Sequence, residues 1–250
     1  LAFDGLNLTW ETLEGLAKHN GPVRDKASPV AKVVRHIEDW SPLNLDLWPS
    51  AEAQVASLAD DIAYLSHDVD DGLRAGLINF DKLFDVPLAG PIARDVKAIA
   101  DDAEPSRAIY EVTRRMITAM VGDVVIESRR RLSGLVPSSA EDIRGADRAV
   151  IAFSEPMTAD LARLKTFLFQ AVYHNQRVLG VMEQAEGVVR DLFGRYNSNP
   201  DALPHGWREA QKGLDDRHHA RLACDFLAGQ TDRYALAEHR RLFDVTPELG

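Results

Sequence analysis

Cysteine is nearly absent from the 250 residues: Cys224 stands alone. A single thiol excludes an internal disulfide framework and a cysteine-based zinc site, and it suits a reducing compartment, so a cytoplasmic protein is expected. Long apolar runs are also missing. No stretch approaches the roughly 20 residues that a membrane-spanning helix requires, and no secretory signal pattern is present. Positive charge is scarce as well. Lys and Arg number 29 against 39 Asp and Glu, a formal charge of −10 with an isoelectric point near 5.3. That balance excludes a strong non-specific grip on nucleic acid, which needs a basic footprint, though a local basic patch is compatible with it. Sustained apolar/polar alternation is lacking too, which argues against half-buried strands. An initiating Met is absent: the chain opens at Leu1-Ala2-Phe3-Asp4 with structural signals almost at once. It therefore reads as the downstream portion of something longer.

What is present is helical periodicity, and an all-α fold follows from it. Thr9 is placed to cap a helix from Trp10 to about His19, with Gly21-Pro22 as its stop. Pro22, Pro29, Pro42 and Pro49 break up the next segment into loops and one short helix near Ala31 to Trp40. Ser50 opens a long helix to about Leu77. Val55, Leu58, Ile62, Leu65, Val69 and Leu73 fall on it within roughly an 80° arc at about 100° per residue, a stripe that must pack on neighbours. A looser stretch holds a helix from Ile92 to Ala100. Glu104-Pro105-Ser106 starts the longest helix, which runs to about Leu132, where Gly134 and Pro137 end it. Ser138-Ser139-Ala140-Glu141 reads as a capping box. After a break near Glu155-Pro156, a helix follows from Thr158 to about Val178; at Gly180 it either continues or kinks, and Val181 to Tyr196 is periodic again, with a last helix from Asp215 to about Tyr234. The turn from Gly134 to Ser139 divides the chain into 1–134, the core-forming portion, and 135–250, a second helical lobe, if the two are not one continuous domain. No internal repeat is present.

The helix opened by Ser50 carries Asp60, Asp61, His67, Asp68, Asp70 and Asp71. Asp60, Tyr64 and Asp68 stand at i, i+4 and i+8, so they climb one face, opposite the apolar stripe. An acidic solvated face is the plain reading. Two features oppose it. The acids crowd together with no base before Arg74, and Asp is a poor residue for a helix interior. A hard divalent cation such as Mg²⁺ or Mn²⁺ is a physical reason to place carboxylates there.

Three blocks carry a resemblance. The first is Phe3-Asp4-Gly5-Leu6-Asn7-Leu8-Thr9-Trp10-Glu11-Thr12-Leu13-Glu14-Gly15-Leu16 with Lys18-His19-Asn20-Gly21-Pro22. The second is Glu52-Ala53-Gln54-Val55 running into Ala59-Asp60-Asp61-Ile62-Ala63-Tyr64. The third is Cys224-Asp225-Phe226-Leu227-Ala228-Gly229-Gln230-Thr231-Asp232-Arg233-Tyr234-Ala235. In this order the blocks resemble the HD-domain deoxynucleoside triphosphate triphosphohydrolases, within them the bacterial dGTPase-like branch. The resemblance implies an HD-domain-like multi-helix bundle, here N-terminally truncated. It also implies hydrolysis of a deoxynucleoside triphosphate to the deoxynucleoside and tripolyphosphate, a divalent metal (Mg or Mn) and a homo-oligomer. By the same resemblance Asp60 matches a metal ligand, Tyr64 the residue that packs on the deoxyribose, and Asp68 the acceptor for the 3′-hydroxyl. In the family the remaining ligands, including a His-Asp pair, and the catalytic acid-base residues lie upstream of the Phe3 block, a segment this chain does not contain. The chain alone is therefore expected to turn over little. His67-Asp68 does not replace the missing pair, because Asp68 already matches the sugar position and adjacent helical residues diverge by about 100°. A catalytically silent nucleotide-sensing or assembly module on the same scaffold is the alternative, and a scaffold with a merely solubilising acidic face is a weaker third.

Smaller features receive no role from sequence. Arg107, Arg114 and Arg115 read as solvated arginines and Tyr173-His174 as packing residues. His218 and His219 point to different faces. Arg129-Arg130-Arg131 suits the negative end of a helix dipole. Asp225, Thr231 and Asp232 read as caps or contacts.

Overall fold

The computed structural model describes residues 6–35, 43–99 and 104–247. Among these residues the protein is all-α, with twelve α-helices and no strand. The chain forms two compact units, residues 1–172 and 173–250. The first boundary signal downstream of the Gly134–Ser139 turn is thus a break at Val172/Tyr173.

In the first unit, α1 (Trp10–Ala17) starts where Thr9 accepts the backbone N–H of Thr12. The second helix, α2, covers Pro29–Arg35; the end of the expected helix, at Trp40, lies outside the described residues, as do Phe3-Asp4-Gly5 and Ala100. Ser50 caps α3 (Ala51–Arg74) by accepting from Ala53 N–H. Short α4 (Phe80–Leu83) leads to α5 (Ala89–Ile99), which begins ahead of the expected Ile92. Pro105 opens α6 (Pro105–Leu135), the longest element at 31 residues, which ends at Val136 in the left-handed region with φ 48°.

The capping box lies one residue later than the sequence spacing suggests. Ser139 accepts from Asp142 N–H, and Asp142 Oδ2 in turn accepts the N–H groups of Ser138 and Ser139 at 2.7 and 2.9 Å, opening α7 (Ala140–Arg144). The break expected near Glu155-Pro156 falls just ahead of it, over residues 145–154, and the helix then opens at Glu155 rather than Thr158. Ser154 caps α8 (Glu155–Leu168), and Pro156 sits in the first turn, where its missing N–H has no partner to lose. Five residues of π-helix, Phe169–Tyr173, then end this run, so the interruption falls there rather than at Gly180.

The core of the first unit is a seam between α3, α5, α6 and α8. Leu65, Val69, Met116, Met120 and Leu164 are essentially inaccessible to water. Of the stripe expected on α3, Ile62, Leu65, Val69 and Leu73 are buried, but Val55 is 50% exposed. The reason is that at the N-terminal end of α3 Gln54 turns inward instead. Its Nε2 donates to Pro49 O at 2.9 Å, and its Oε1 accepts from the N–H groups of Val150 and Ile151 at 2.9 and 3.1 Å. Deeper along α3, Gly72 makes room: a Cβ there would stand 3.1 Å from both Ile78 and Val172.

One cluster of charge is buried. Glu14 and Lys18 of α1 are 0% exposed and Arg144 of α7 is 7% exposed. Arg144 Nε donates to Glu14 Oε1 at 2.9 Å and its Nη2 to Oε2 at 3.0 Å, while Lys18 Nζ donates to Oε1 at 3.0 Å. Glu14 Oε2 also accepts from Ser50 N–H at 3.4 Å, and the Arg144 guanidinium lies 4.8 Å from the centre of the Trp10 ring. One carboxylate thus joins α1, the start of α3 and α7. Burial pushes its pKa up, but the donors of Arg144 and Lys18 outweigh that and hold it below its ordinary value of 4.5.

In the second unit, α9 (Gln176–Ser198) packs against α11 (Asp216–Ala228) and α12 (Asp232–Leu242), with a 3₁₀ turn Pro200–Ala202 and short α10 (His205–Ala210) completing it. The core here is Val188, Leu192, Tyr196, Leu203, Ala223 and Phe226. The single helix expected from Asp215 to Tyr234 is two helices. Gly229 closes α11, and Thr231 caps α12 by accepting from Tyr234 N–H. His218 bonds Asp215 while His219 bonds Gln211 O, so the two do diverge.

Removing Arg144 leaves a buried carboxylate short of its main donor. Arg144→Ala is expected to destabilise the first unit by roughly 3–5 kcal/mol, read from denaturant unfolding followed by tryptophan fluorescence. The pH dependence has a fixed sign. Because the folded pKa of Glu14 lies below the unfolded one, its stabilising effect is complete above pH 4.5 and is lost as pH falls through the folded value. Glu14→Gln should flatten this acid limb, which urea titrations across pH 3–6 would measure.

Candidate functional site

The three sequence-selected residues sit on α3 as a one-face ladder, turned away from the seam that buries Leu65 and Val69. Asp60 is exposed, with its side chain 74% accessible; Tyr64 is 56% exposed; Asp68 is half-buried. Asp60 does not stand alone. His19, just past the end of α1, places Nε2 3.4 Å from Asp60 Oδ2. Sequence reading quoted His19 only as part of a motif and gave it no role; the contact depends on how α1 and α3 cross, which spacing along one helix does not encode.

The argument from crowded acids also changes. No base precedes Arg74 within the run, yet bases reach it from other elements. Lys165 of α8 lies 3.5 Å from Asp61, and His19 faces Asp60. Asp70 is engaged in structure: Arg74 binds it through Nε and Nη2, and Thr113 Oγ1 on α6 donates to its Oδ1 at 3.2 Å. Asp70 therefore fastens α3 to α6.

Beside this ladder lies a cavity of about 230 Å³. His19, Gly21, Trp48, Gln54, Ser57 and Asp61 are among its walls. Gly21, at φ 90°, permits the tight turn after α1, and a Cβ there would lie 3.1 Å from the Trp48 ring. Asp61 lines the concavity whereas Asp60, Tyr64 and Asp68 do not; His19 is the shared neighbour, lining it and facing Asp60.

A carboxylate is the right donor for a hard cation, but number matters as much as chemistry. Among the described residues no group of three or more His, Cys, Asp or Glu side chains is placed to hold a metal ion. Asp60 offers one donor, and the described residues do not close a metal site by themselves.

Two arginines of α6 converge on one acid. Arg114 and Arg115 both bind Glu111, and their donors hold its carboxyl down at about 2. No helix among the described residues is long and apolar enough to cross a membrane.

Comparison with known proteins supplies the frame for these residues. Residues 151–241 match the phosphohydrolase-associated domain family. Over 99% of its length the chain is 48% identical to deoxyguanosinetriphosphate triphosphohydrolase-like protein 1 of Mesorhizobium japonicum, of which it covers 63%. It is 48% identical over 97% of its length to a deoxyguanosinetriphosphate triphosphohydrolase-like protein of a Caulobacter species, covering 62% of that protein. A protein of the same description from Brucella anthropi is 46% identical over 99% of the chain, which covers 63% of it. The chain spans less than two thirds of the length of each of these relatives. With nearly every residue of the chain aligned at such identity, the chain is similar throughout to dGTPase-like proteins, and its residues 151–241 belong to the phosphohydrolase-associated domain family.

Proposed function

We propose that this chain is the larger part of a metal-dependent deoxynucleoside triphosphate triphosphohydrolase, a reading carried by its 48% identity, over 99% of its length, to a protein named for dGTP triphosphohydrolysis. In this reading water attacks the α-phosphorus and gives up a proton, the bond from that phosphorus to the 5′-oxygen breaks, the 5′-oxygen takes up a proton, and deoxynucleoside and tripolyphosphate leave.

In this reading Asp60 supplies a carboxylate to a divalent cation, Mg²⁺ or Mn²⁺, with the remaining donors coming from outside the described residues. When bound, such an ion polarises a phosphoryl oxygen and lowers the pKa of water. Tyr64 packs its ring on the deoxyribose, where a 2′-hydroxyl would be crowded out. Asp68, half-buried one turn further on, accepts from the 3′-hydroxyl, so that a sugar lacking that group leaves a polar acceptor unmatched. His19 holds the Asp60 carboxylate from the other side at 3.4 Å. The reading retains residues 1–134 as the portion that contributes to the catalytic core and 135–250 as the lobe beside it. It also retains a cytoplasmic setting and a homo-oligomer, for which the half-exposed Ile117, Val121 and Val125 of α6 offer apolar surface. The chain alone is expected to turn over little.

The alternative is a silent nucleotide-sensing or assembly module on the same scaffold. The two separate on turnover. In full-length protein, Asp60→Ala is expected to abolish metal-dependent release of tripolyphosphate, at least about a hundredfold in kcat. Near-normal turnover in that variant would remove Asp60 from the metal site, and absence of turnover in the unmodified full-length protein would favour the sensor. Asp68→Ala should lower kcat/KM about tenfold to a hundredfold for ordinary substrates and far less for 2′,3′-dideoxynucleotides. Equal losses on both would remove its role at the sugar.

A further inference from the structure

The triple arginine Arg129-Arg130-Arg131 suits a helix dipole only if it lies at the helix end and reaches the last carbonyls. Neither condition holds. The helix α6 continues to Leu135, with no basic residue in its final turn. Arg130 and Arg131 reach back one turn to Glu127 instead: Arg130 donates through Nε and Nη2 at 2.8 and 2.7 Å, and Arg131 through Nε at 2.7 Å. Glu127 is spent on these two donors and is held down at about 2 by them. Arg131 is further fixed by Nη1, which donates to Ala149 O at 2.8 Å.

These contacts frame a cavity of about 210 Å³ between the end of α6 and the segment 146–150. Arg130, Arg131 and Arg148 line it, against the one carboxylate of Asp147. The far wall is rigid, since Val150 N–H is held by Gln54 and Ala149 O by Arg131. Each guanidinium carries five N–H donors. Arg130 and Arg131 each commit two donor atoms to protein acceptors, and Arg148 makes no ion pair or hydrogen bond among the described residues. Two guanidinium groups fixed by Glu127, with Arg148 beside them unengaged by any acceptor among the described residues, around a concavity in a chain of charge −10, are an arrangement that packing does not require.

We propose that this cavity is a binding site for a small molecule bearing a phosphate or diphosphate group, held by Arg130, Arg131 and Arg148. A polymeric polyanion is disfavoured, because the enclosing volume fits only a compact group and the chain as a whole repels negative charge. The site is separate from the α3 ladder and stands whether or not the nucleotide reading of that ladder holds.

The test is isothermal titration calorimetry of the whole protein with inorganic pyrophosphate at low ionic strength, beside Arg148→Ala, Arg148→Glu and, at an exposed arginine elsewhere, Arg190→Ala. Arg148 makes no hydrogen bond or ion pair among the described residues that its loss would break, so both variants should fold. Expected are saturable binding, a loss of roughly tenfold in Arg148→Ala, abolition in Arg148→Glu and no change in Arg190→Ala. Absence of saturable binding up to the millimolar range, equal binding in the Arg148 variants, or a single-stranded oligodeoxynucleotide that binds where pyrophosphate does not would each overturn the proposal.

Discussion

The structure of the first unit depends on one buried carboxylate. Glu14 is the meeting point of α1, α7 and the first turn of α3, because its two oxygens accept from Lys18, from Arg144 and from the backbone of Ser50. A carboxylate without such partners would not stay ionised in the interior. The cost of burying it is met only if Arg144 sits beside Trp10 and α3 begins at Ser50. Isolated ion pairs of this kind add little stability, and their better-attested effect is to fix one arrangement among several. Here the arrangement fixed is the starting point of α3. Since a helix is a rigid rod with about 100° per residue, the starting point sets the direction in which Asp60, Tyr64 and Asp68 look.

A second set of polar contacts then holds the neighbourhood in place. Gln54 binds Val150 and Ile151, Ser128 Oγ accepts from Ala152 N–H at 3.2 Å, and Asp123 takes both the backbone and the hydroxyl of Ser154 at 2.8 and 2.6 Å. The segment 150–154 is therefore tied to α3 and α6 before α8 begins. Apolar burial along the α3–α6 seam supplies the driving force, but it is direction-free. The polar ties decide register, and register brings His19 to Asp60 and a concavity beside the acidic face.

Helix existence was legible because periodicity and caps are local. Thr9, Ser50 and Pro105 mark real starts, and four of the apolar positions on α3 are buried as their spacing implies. What was misread involved local rules that a neighbour overrides or that admit two registers. Ser138 and Ser139 both offer a capping box, and the shift to Ser139 follows from Asp142 bonding both backbone N–H groups. Pro156 moved the expected helix start to Thr158, although a first turn tolerates proline and α8 opens at Glu155. Val55 fitted the stripe, but no periodicity reveals that Gln54 would take the inward position. For the candidate site, the ladder on α3 was visible as spacing, whereas its partners were not. His19, which meets Asp60, and Lys165, which meets the adjacent Asp61, arrive from outside α3, and sequence distance carries no signal for such meetings beyond the Lys18-His19-Asn20-Gly21-Pro22 motif itself.

The central claim is that the face of α3 opposite its core seam is where cation and sugar meet. Anomalous scattering from Mn²⁺ in crystals of full-length protein, grown with a non-hydrolysable deoxynucleoside triphosphate analogue, tests it most directly. The account predicts a manganese peak within about 2.3 Å of an Asp60 carboxylate oxygen, the deoxyribose against the Tyr64 ring and its 3′-oxygen on Asp68. A metal bound away from Asp60, or a sugar that does not touch α3, would contradict it.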